Sequence, residues 1–122
     1  MRLFNTFALL PLLALLAAPP LCAQVTFGSS GMEGEPFRRQ AWRVPSPDTD
    51  IASHALLFRP VGTGPFRLVV IAHASMQNLL RRAQMPQPEY RALAAFLVAR
   101  GFAVLVPERL GHGATGGPYV ED

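Results

Sequence analysis

The sequence has no lysine and a single cysteine, and only 16% of its 122 residues are charged. Because 50% of the residues are hydrophobic, this composition excludes a disordered chain. All eleven basic residues are arginines, spread along the chain, and the net charge is only +3. With no basic stripe and no interleaved aromatic residues, we expect no nucleic-acid partner, despite a pI near 10.0. The length allows one domain at most.

The first 23 residues have the layout of a secretory signal peptide. Arg2 provides a short basic start, residues 7–18 are an apolar run, and small residues supply a cleavage site after it. The run is too short to cross a bilayer, which takes about 20 apolar residues. We expect an exported protein, periplasmic or secreted, with no stable membrane span after cleavage. Two alternatives stay open: an uncleaved anchor, and lipidation at Cys22, which lacks the lipobox leucine three positions before it.

Cleavage after Ala23 removes the only cysteine, so residues 24–122 contain no disulfide, thiol nucleophile or thiolate metal site. A small secreted domain is usually stapled by disulfides, and without them it needs a good core. Residues 24–36 are rich in glycine and serine and show no periodicity. They predict a flexible segment, and the folded part is expected over residues 37–122.

Four short segments predict the strands of an α/β fold. Residues 40–44 alternate polar and apolar, and residues 55–58 form a short apolar run, which together favour an antiparallel pair with one face in water. Residues 68–72 and 102–106 are continuous apolar runs bounded by turn residues. Such runs are typical of parallel strands that are covered on both faces.

One helix is predicted between the two continuous runs. Its apolar stripe has helical spacing and consists of Tyr90, Leu93, Ala94 and Leu97. Pro88 can occupy the first turn, and Gly101 can supply the left-handed residue after the helix. The order of strand, loop, helix and strand indicates a βαβ unit. Its loop, residues 73–87, is longer than the two to six residues usual for such a connection, and long loops are often functional.

Two loops follow the carboxyl ends of the predicted parallel strands, the edge at which open α/β sheets bind ligands. The first begins His73-Ala74-Ser75-Met76, and small residues there allow backbone N–H groups to face a ligand. A simple strand end, with His73 bonded to nearby backbone, is the alternative that spacing alone favours. The second loop, residues 108–117, contains four glycines and places His112 between two of them, where we expect an exposed side chain.

Several other chemistries are not indicated. Residues 108–117 lack the lysine of a phosphate-binding loop and do not open a helix, as a dinucleotide fingerprint does. Residues 28–31 lack the five-residue G-x-S-x-G form and are interpreted as linker. Ser75 is too close to His73 in sequence to be its triad partner, because triad members come from separate elements. No metal site is expected from the three histidines, which lack metal-ligand spacing: His54, His73 and His112.

Residues 65–75, the predicted helix and residues 101–113 together resemble the N-terminal part of the α/β-hydrolase superfamily, nearest to its dienelactone-hydrolase-like and serine-peptidase-like branches. That family typically shows a strand, His-Gly-X, a helix and then RGF-V-PD-RGHG-S-G. Arg100-Gly101-Phe102 and Gly111-His112-Gly113 match this pattern. The departures are Ala74, Glu108 and Leu110, where the family usually has Gly, Asp and Arg. The resemblance covers roughly residues 37–120.

The resemblance implies a serine hydrolase that cleaves an ester or amide bond of a small-molecule ester or a peptide, without a cofactor. It assigns the backbone of Ala74 and Ser75 to part of the oxyanion hole. It also assigns four residues to the lining of the substrate cleft: His73, Gly111, His112 and Gly113. In the family the nucleophile, the acid and the catalytic histidine all come later in the chain. We therefore expect an N-terminal fragment that is inactive alone; the alternative is a short exported protein with a non-catalytic binding role.

Overall fold

The computed structural model describes residues 24–121. The signal peptide expected over residues 1–23 lies outside the described residues. The rest forms a mixed α/β fold with one five-stranded sheet and two helices, which confirms the predicted α/β class. Neither helix within residues 24–121 has the length and apolar character needed to span a membrane.

The strands are β1 (Gly28–Ser29), β2 (Gln40–Pro45), β3 (Ala52–Phe58), β4 (Arg67–Val70) and β5 (Phe102–Pro107), and the helices are α1 (Leu79–Ala83) and α2 (Arg91–Val98). Their order across the sheet is β1-β2-β3-β5-β4. β1, β2, β3 and β5 pair antiparallel in turn, and β4 pairs with β5 in parallel. The predicted antiparallel pair and the predicted parallel pair are both confirmed.

Helix α2 covers one face of the sheet and forms the core with it. Alternate residues of β3 and β5 point toward the helix, because side chains in a strand alternate between the two faces. The buried cluster consists of Leu56, Phe58, Ala94, Val98, Val104 and Val106. Full burial of a side chain such as Val or Leu stabilises a fold by about 1.5–3 kcal/mol, so this cluster accounts for much of the stability of the described region.

The buried stripe of α2 differs from the predicted one. Tyr90 and Leu93 were expected to be part of it, but they are 42% and 45% exposed. Tyr90 adopts a left-handed conformation with φ of 47°, so the helix begins only at Arg91 and Pro88 lies before its first turn. The other two residues of the predicted stripe, Ala94 and Leu97, do contact the core, as predicted, and Val98 joins them there. At the other end Gly101 has the expected left-handed conformation, with φ of 84°.

Strand β4 lies at the edge of the sheet, and among the described strands only β5 pairs with it. The prediction that both of its faces are covered is wrong, because Leu68 and Val70 remain 56% and 54% exposed. They lie on the face opposite α2. That face carries an open apolar hollow of about 340 Å³, lined by Trp42, Val44, Leu57, Phe66, Leu68, Ala103 and Leu105. We call it the open face.

Two segments without sequence periodicity contain short regular elements. Gly28 and Ser29, in the segment predicted to be flexible, form β1 against β2. The long loop of residues 73–87 contains α1, whose N-cap Asn78 accepts a hydrogen bond from the Arg81 N–H at 3.0 Å. A two-residue strand and a helix of little more than one turn are too short for a periodic pattern to reveal them.

Shortening a core valine tests the assignment of the buried face. Val104→Ala removes two methyl groups at a fully buried position, and we expect a loss of about 2–3 kcal/mol in the free energy of unfolding. Val61→Ala is the matched control, because Val61 is 94% exposed and should change stability little. Urea unfolding of both variants measures the difference. Equal losses would contradict the packing of α2 on β5.

Candidate functional site

The carboxyl ends of β4 and β5 meet at one edge of the sheet because the two strands are parallel. The loops that follow them contact each other there, and the amino end of antiparallel β3 lies beside them. The buried polar and charged side chains of the described region gather at this edge and in α1: Ser53, His73, Arg82, Glu108, His112 and Thr115. Polar groups are costly to bury without partners, so their hydrogen bonds decide what the edge can do.

His73 and His112 join the two loops by reciprocal hydrogen bonds. The backbone N–H of Arg109, in the second loop, donates to Nε2 of His73 at 3.0 Å. The backbone N–H of Met76, in the first loop, donates to Nε2 of His112 at 3.2 Å. In each ring Nδ1 faces a neighbouring carbonyl oxygen, at 2.8 Å for His73 and 3.1 Å for His112. An imidazole nitrogen that faces a carbonyl must donate, so the hydrogen of both rings is assigned to Nδ1.

The exposure predicted for His112 is wrong, because its side chain is 0% exposed. Its two glycine neighbours have φ values of 78° and 43°, and these left-handed turns direct the side chain inward under the loop. His73 is 5% exposed, and the two rings pack edge to face with centroids 5.1 Å apart. The alternative interpretation of His73, a ring bonded to nearby backbone, is confirmed. Both residues therefore lie beneath the loop surface.

The ring nitrogens of His73 and His112 all take part in hydrogen bonds with the backbone. Over residues 24–121 no group of three or more His, Cys, Asp or Glu side chains is placed to hold a metal ion. The groups at this edge that have no acceptor among the described residues include backbone N–H groups.

Ala74 and Ser75 present two such N–H groups. Within residues 24–121 no protein atom accepts a hydrogen bond from either of them, and both residues are exposed. The residues on either side are held: His73 by its ring and its carbonyl, and Met76 by its N–H and its carbonyl. An unbonded backbone N–H between two anchored residues is a donor that can bind an oxygen carrying negative charge.

The hydroxyl of Ser75 is bonded to a phenol rather than to an imidazole. Its Oγ lies 2.8 Å from the hydroxyl oxygen of Tyr119. The Tyr119 ring packs on the guanidinium of Arg82, 3.8 Å from the ring centroid, and edge to face with His112 at 5.9 Å. Tyr119 therefore lies beside the Ser75 side chain, and no feature of the sequence pattern had singled it out.

Arg82 is a second residue that sequence reasoning missed. It is only 8% exposed, and its Nη1 donates to the carbonyl oxygens of Met76 and Gln77 at 3.1 and 2.9 Å. Its carbonyl oxygen accepts the N–H of Gly113 at 2.9 Å. One arginine thus holds the backbone of both loops. The only sequence feature that could have indicated Arg82 was the adjacent pair Arg81-Arg82 in a loop, and such a pair is equally typical of a surface exposed to water.

The side chain of Glu108 is buried beneath the second loop and bonds to its backbone. It is 0% exposed, and its Oε2 accepts the N–H of Thr115 at 2.6 Å. Its Oε1 has no partner among residues 24–121 and lies so close to Gly113 that a Cβ added there would clash with it. The same Cβ would lie 2.5 Å from the carbonyl oxygen of Met85. Gly113 is therefore required both by its φ of 43° and by lack of space.

The surroundings of His54 shift the pKa of its imidazole. It lies opposite Arg43 in the β2–β3 pair. Partial burial lowers the pKa of His54 from its ordinary value of 6.5, and the positive charge of Arg43 lowers it further, while Glu108 acts in the opposite direction. The neutral ring is thus the form that the fold favours.

A pair of glycine variants tests the close approach of Glu108. Gly113→Ala meets both a left-handed φ and the Glu108 carboxylate, whereas Gly116→Ala meets a φ of 60° and nothing within 4 Å. Overpacking typically costs about 1–3 kcal/mol, so Gly113→Ala should lose that much more unfolding free energy than Gly116→Ala. Urea unfolding measures both; losses of the same size would argue against the described position of Glu108.

The lowered pKa of His54 predicts a pH-dependent stability. Above 6.5 the ring is neutral in the folded and unfolded states, and its contribution is fully present. As the pH falls below that value the unfolded chain takes up the proton first, so the free energy of unfolding decreases. The urea midpoint should fall between about pH 7.5 and 5.5, and His54→Gln should flatten this change. An undiminished slope in the variant would assign the effect to other groups.

Comparison with known proteins leaves this geometry without an established family. No family model matches the chain. No curated protein matches it either. The function must therefore be argued from the residues and contacts of the site itself.

Proposed function

We propose that residues 24–121 are the N-terminal part of an exported serine hydrolase of the α/β-hydrolase type, acting on the ester or amide bond of a small molecule or peptide. The observation that carries the proposal is that the backbone N–H groups of two exposed residues after β4, Ala74 and Ser75, have no acceptor among residues 24–121. In α/β-hydrolases the loop between a strand and the first helix supplies one oxyanion donor, and the residue after the nucleophile supplies the other.

The two N–H groups suit a developing oxyanion because they are fixed before any ligand arrives. Electrostatic stabilisation of this kind is effective when donors need no reorganisation at the moment of reaction. Here the anchoring bonds of His73 and Met76 provide that fixation. When a nucleophile attacks the substrate carbonyl carbon, the carbonyl oxygen gains negative charge and accepts the Ser75 N–H, while the residue after the nucleophile supplies the second donor. The role requires the backbone of Ser75 and not its hydroxyl.

The edge of strand β4 that has no partner within residues 24–121 is a second observation that supports the proposal. The resemblance places the nucleophile on the next strand of the chain, and a further parallel strand could pair with β4, which has a partner on one side only among the described strands. A nucleophile at the carboxyl end of such a strand would lie beside Ala74 and Ser75. Further structure of this kind would also cover Leu68 and Val70 on the open face.

The departures from the family pattern are compatible with this site. Ala74 stands where the family usually has glycine, but it is not among the residues with positive φ, so the loop does not need glycine there. Glu108 replaces aspartate, and its carboxylate reaches the N–H of Thr115 across the loop. Both substitutions change side chains while leaving the two N–H donors exposed.

Activity measurements test the proposal directly. The 122-residue chain alone should not hydrolyse p-nitrophenyl acetate faster than its Ser75→Ala variant, because its Ser75 hydroxyl is bonded to Tyr119 and not to a histidine. The native protein, captured from the exported fraction of its source, should exceed this chain in mass, hydrolyse the ester and react with a fluorophosphonate at a serine in G-x-S-x-G. A native mass equal to residues 24–122, with no fluorophosphonate reaction, would refute the hydrolase and leave a binding role.

Two substitutions at one position separate the backbone of Ser75 from its side chain in that native enzyme. Ser75→Ala keeps the N–H and should retain most of kcat. Ser75→Pro removes the N–H and should lower kcat by about 10²–10³-fold, the effect of losing one oxyanion donor. Thermal melts of both variants control for folding. Equal activity in the two variants would place the oxyanion hole elsewhere.

A further inference from the structure

We infer that His112 is a positioning residue, which fixes the peptide after Ser75 by accepting the N–H of Met76 and so helps to hold the backbone that carries the N–H groups of Ala74 and Ser75. Its catalytic consequence rests on the proposed function, since it concerns the same two donors. The anchoring itself is a statement about the loop and can be tested without activity.

The geometry of the loop shows why Met76 matters. Without a partner for its N–H, the peptide that follows Ser75 could rotate and carry the Ser75 carbonyl into the place of the donors. The Met76 N–H donates to Nε2 of His112 at 3.2 Å, and the Met76 carbonyl oxygen accepts from Arg82 at 3.1 Å. On the other side, the carbonyl oxygen of His73 accepts from Nη1 of Arg109 at 3.2 Å. The peptide between Ala74 and Ser75 is bonded as well, since the Ala74 carbonyl oxygen accepts from Nδ1 of His73 at 2.8 Å. His112 therefore fixes the remaining peptide of this segment, the one between Ser75 and Met76.

His112 itself cannot turn away from Met76. Its side chain is fully buried, and its Nδ1 donates to the carbonyl oxygen of Leu110 at 3.1 Å. Its own backbone is fixed at both ends: its N–H donates to the Arg109 carbonyl and its carbonyl accepts from the Gly116 N–H, each at 3.1 Å. The rings of His73 and Tyr119 contact its edges. These contacts fix the position of the His112 ring, so its Nε2 is an acceptor at a fixed position for the Met76 N–H.

An apolar side chain of similar size could fill the same space, so packing alone does not require histidine here. Burial of an imidazole is unfavourable unless both nitrogens find partners. Both nitrogens of His112 do find partners, and both partners are backbone atoms of the two loops. These two hydrogen bonds explain why an imidazole, and not an apolar side chain, is buried at this position. Tyr119, by contrast, contacts the exposed hydroxyl of Ser75 and does not reach the Met76 N–H.

The first experiment is nuclear magnetic resonance on the ¹⁵N-labelled full chain. A scalar coupling across the hydrogen bond, between the backbone nitrogen of Met76 and Nε2 of His112, is expected in the unmodified protein. The N–H order parameters of residues 74–76 should match a rigid backbone, about 0.85. A folded protein without the coupling, or with a mobile 74–76 segment, would overturn the inference. This measurement does not depend on the folding of any variant.

Substitutions then separate anchoring from packing. His112→Leu keeps the volume but removes the acceptor, and the order parameters of residues 74–76 should fall below about 0.6 while those of β5 stay high. His112→Gln can present an oxygen to the Met76 N–H and should restore much of the rigidity. Tyr119→Phe is the control, which loses the hydroxyl on Ser75 and should leave Met76 rigid. Unchanged order parameters in His112→Leu would reduce His112 to a packing residue.

Kinetics of the native enzyme give the catalytic consequence. His112→Leu should lower kcat about tenfold or more with KM for a short ester unchanged, because donors that bind only the developing oxyanion act on the transition state. His112→Gln should recover kcat. An unaltered kcat in His112→Leu would overturn the positioning role. If the native protein has no esterase activity while residues 74–76 depend on His112 for rigidity, the hydrolase proposal fails and the anchoring stands.

Discussion

The parallel pairing of β4 with β5 is the constraint on which the site depends. Parallel strands end at the same edge of a sheet, so the loops after Val70 and Pro107 are brought together although 36 residues separate His73 from Arg109 in the sequence. Helix α2 makes this pairing possible, because it carries the chain back across the sheet and buries Val104 and Val106. The stability of the covered face and the geometry of the edge therefore have the same origin.

At that edge the protein satisfies buried polar groups almost entirely with its own backbone. His73, His112 and Arg82 each bond to main-chain atoms of the loops, and Glu108 accepts a main-chain N–H. Such bonds fix loop conformation where the backbone of an isolated loop would be free. The result is two rigid loops without regular secondary structure over most of their length, and one short exposed segment, Ala74-Ser75, whose N–H groups stay unbonded.

The fold was predictable from the sequence where a periodic pattern extends over several residues. The alternation in residues 40–44 and the apolar runs at 68–72 and 102–106 predicted the sheet and its parallel pair. Elements of two and five residues, β1 and α1, could not be found in this way. The start of α2 was misplaced because Tyr90 has a left-handed backbone conformation, which the spacing of apolar residues does not reveal.

The position of the site could be predicted from the sequence, but the buried contacts beneath it could not. The carboxyl ends of the strands and the small residues Ala74 and Ser75 indicated where N–H donors could lie. His112 was expected to be exposed because glycines flank it, yet the same glycines let the loop fold inward over it. Arg82 and Tyr119 come from α1 and from beyond the glycine-rich loop, and only the three-dimensional structure shows that they stack.

Because the two imidazoles bind backbone atoms, the frame of this edge tolerates change at some of the positions that they bind. Ala74 and Met76 offer His73 and His112 a carbonyl and an N–H group, which nearly every amino acid has. Both side chains can therefore change while these bonds persist, whereas Arg109 also donates from its side chain and Leu110 is buried. Changes at Ala74 and Met76 would alter the surface of the edge without removing the bonds that the two histidines make.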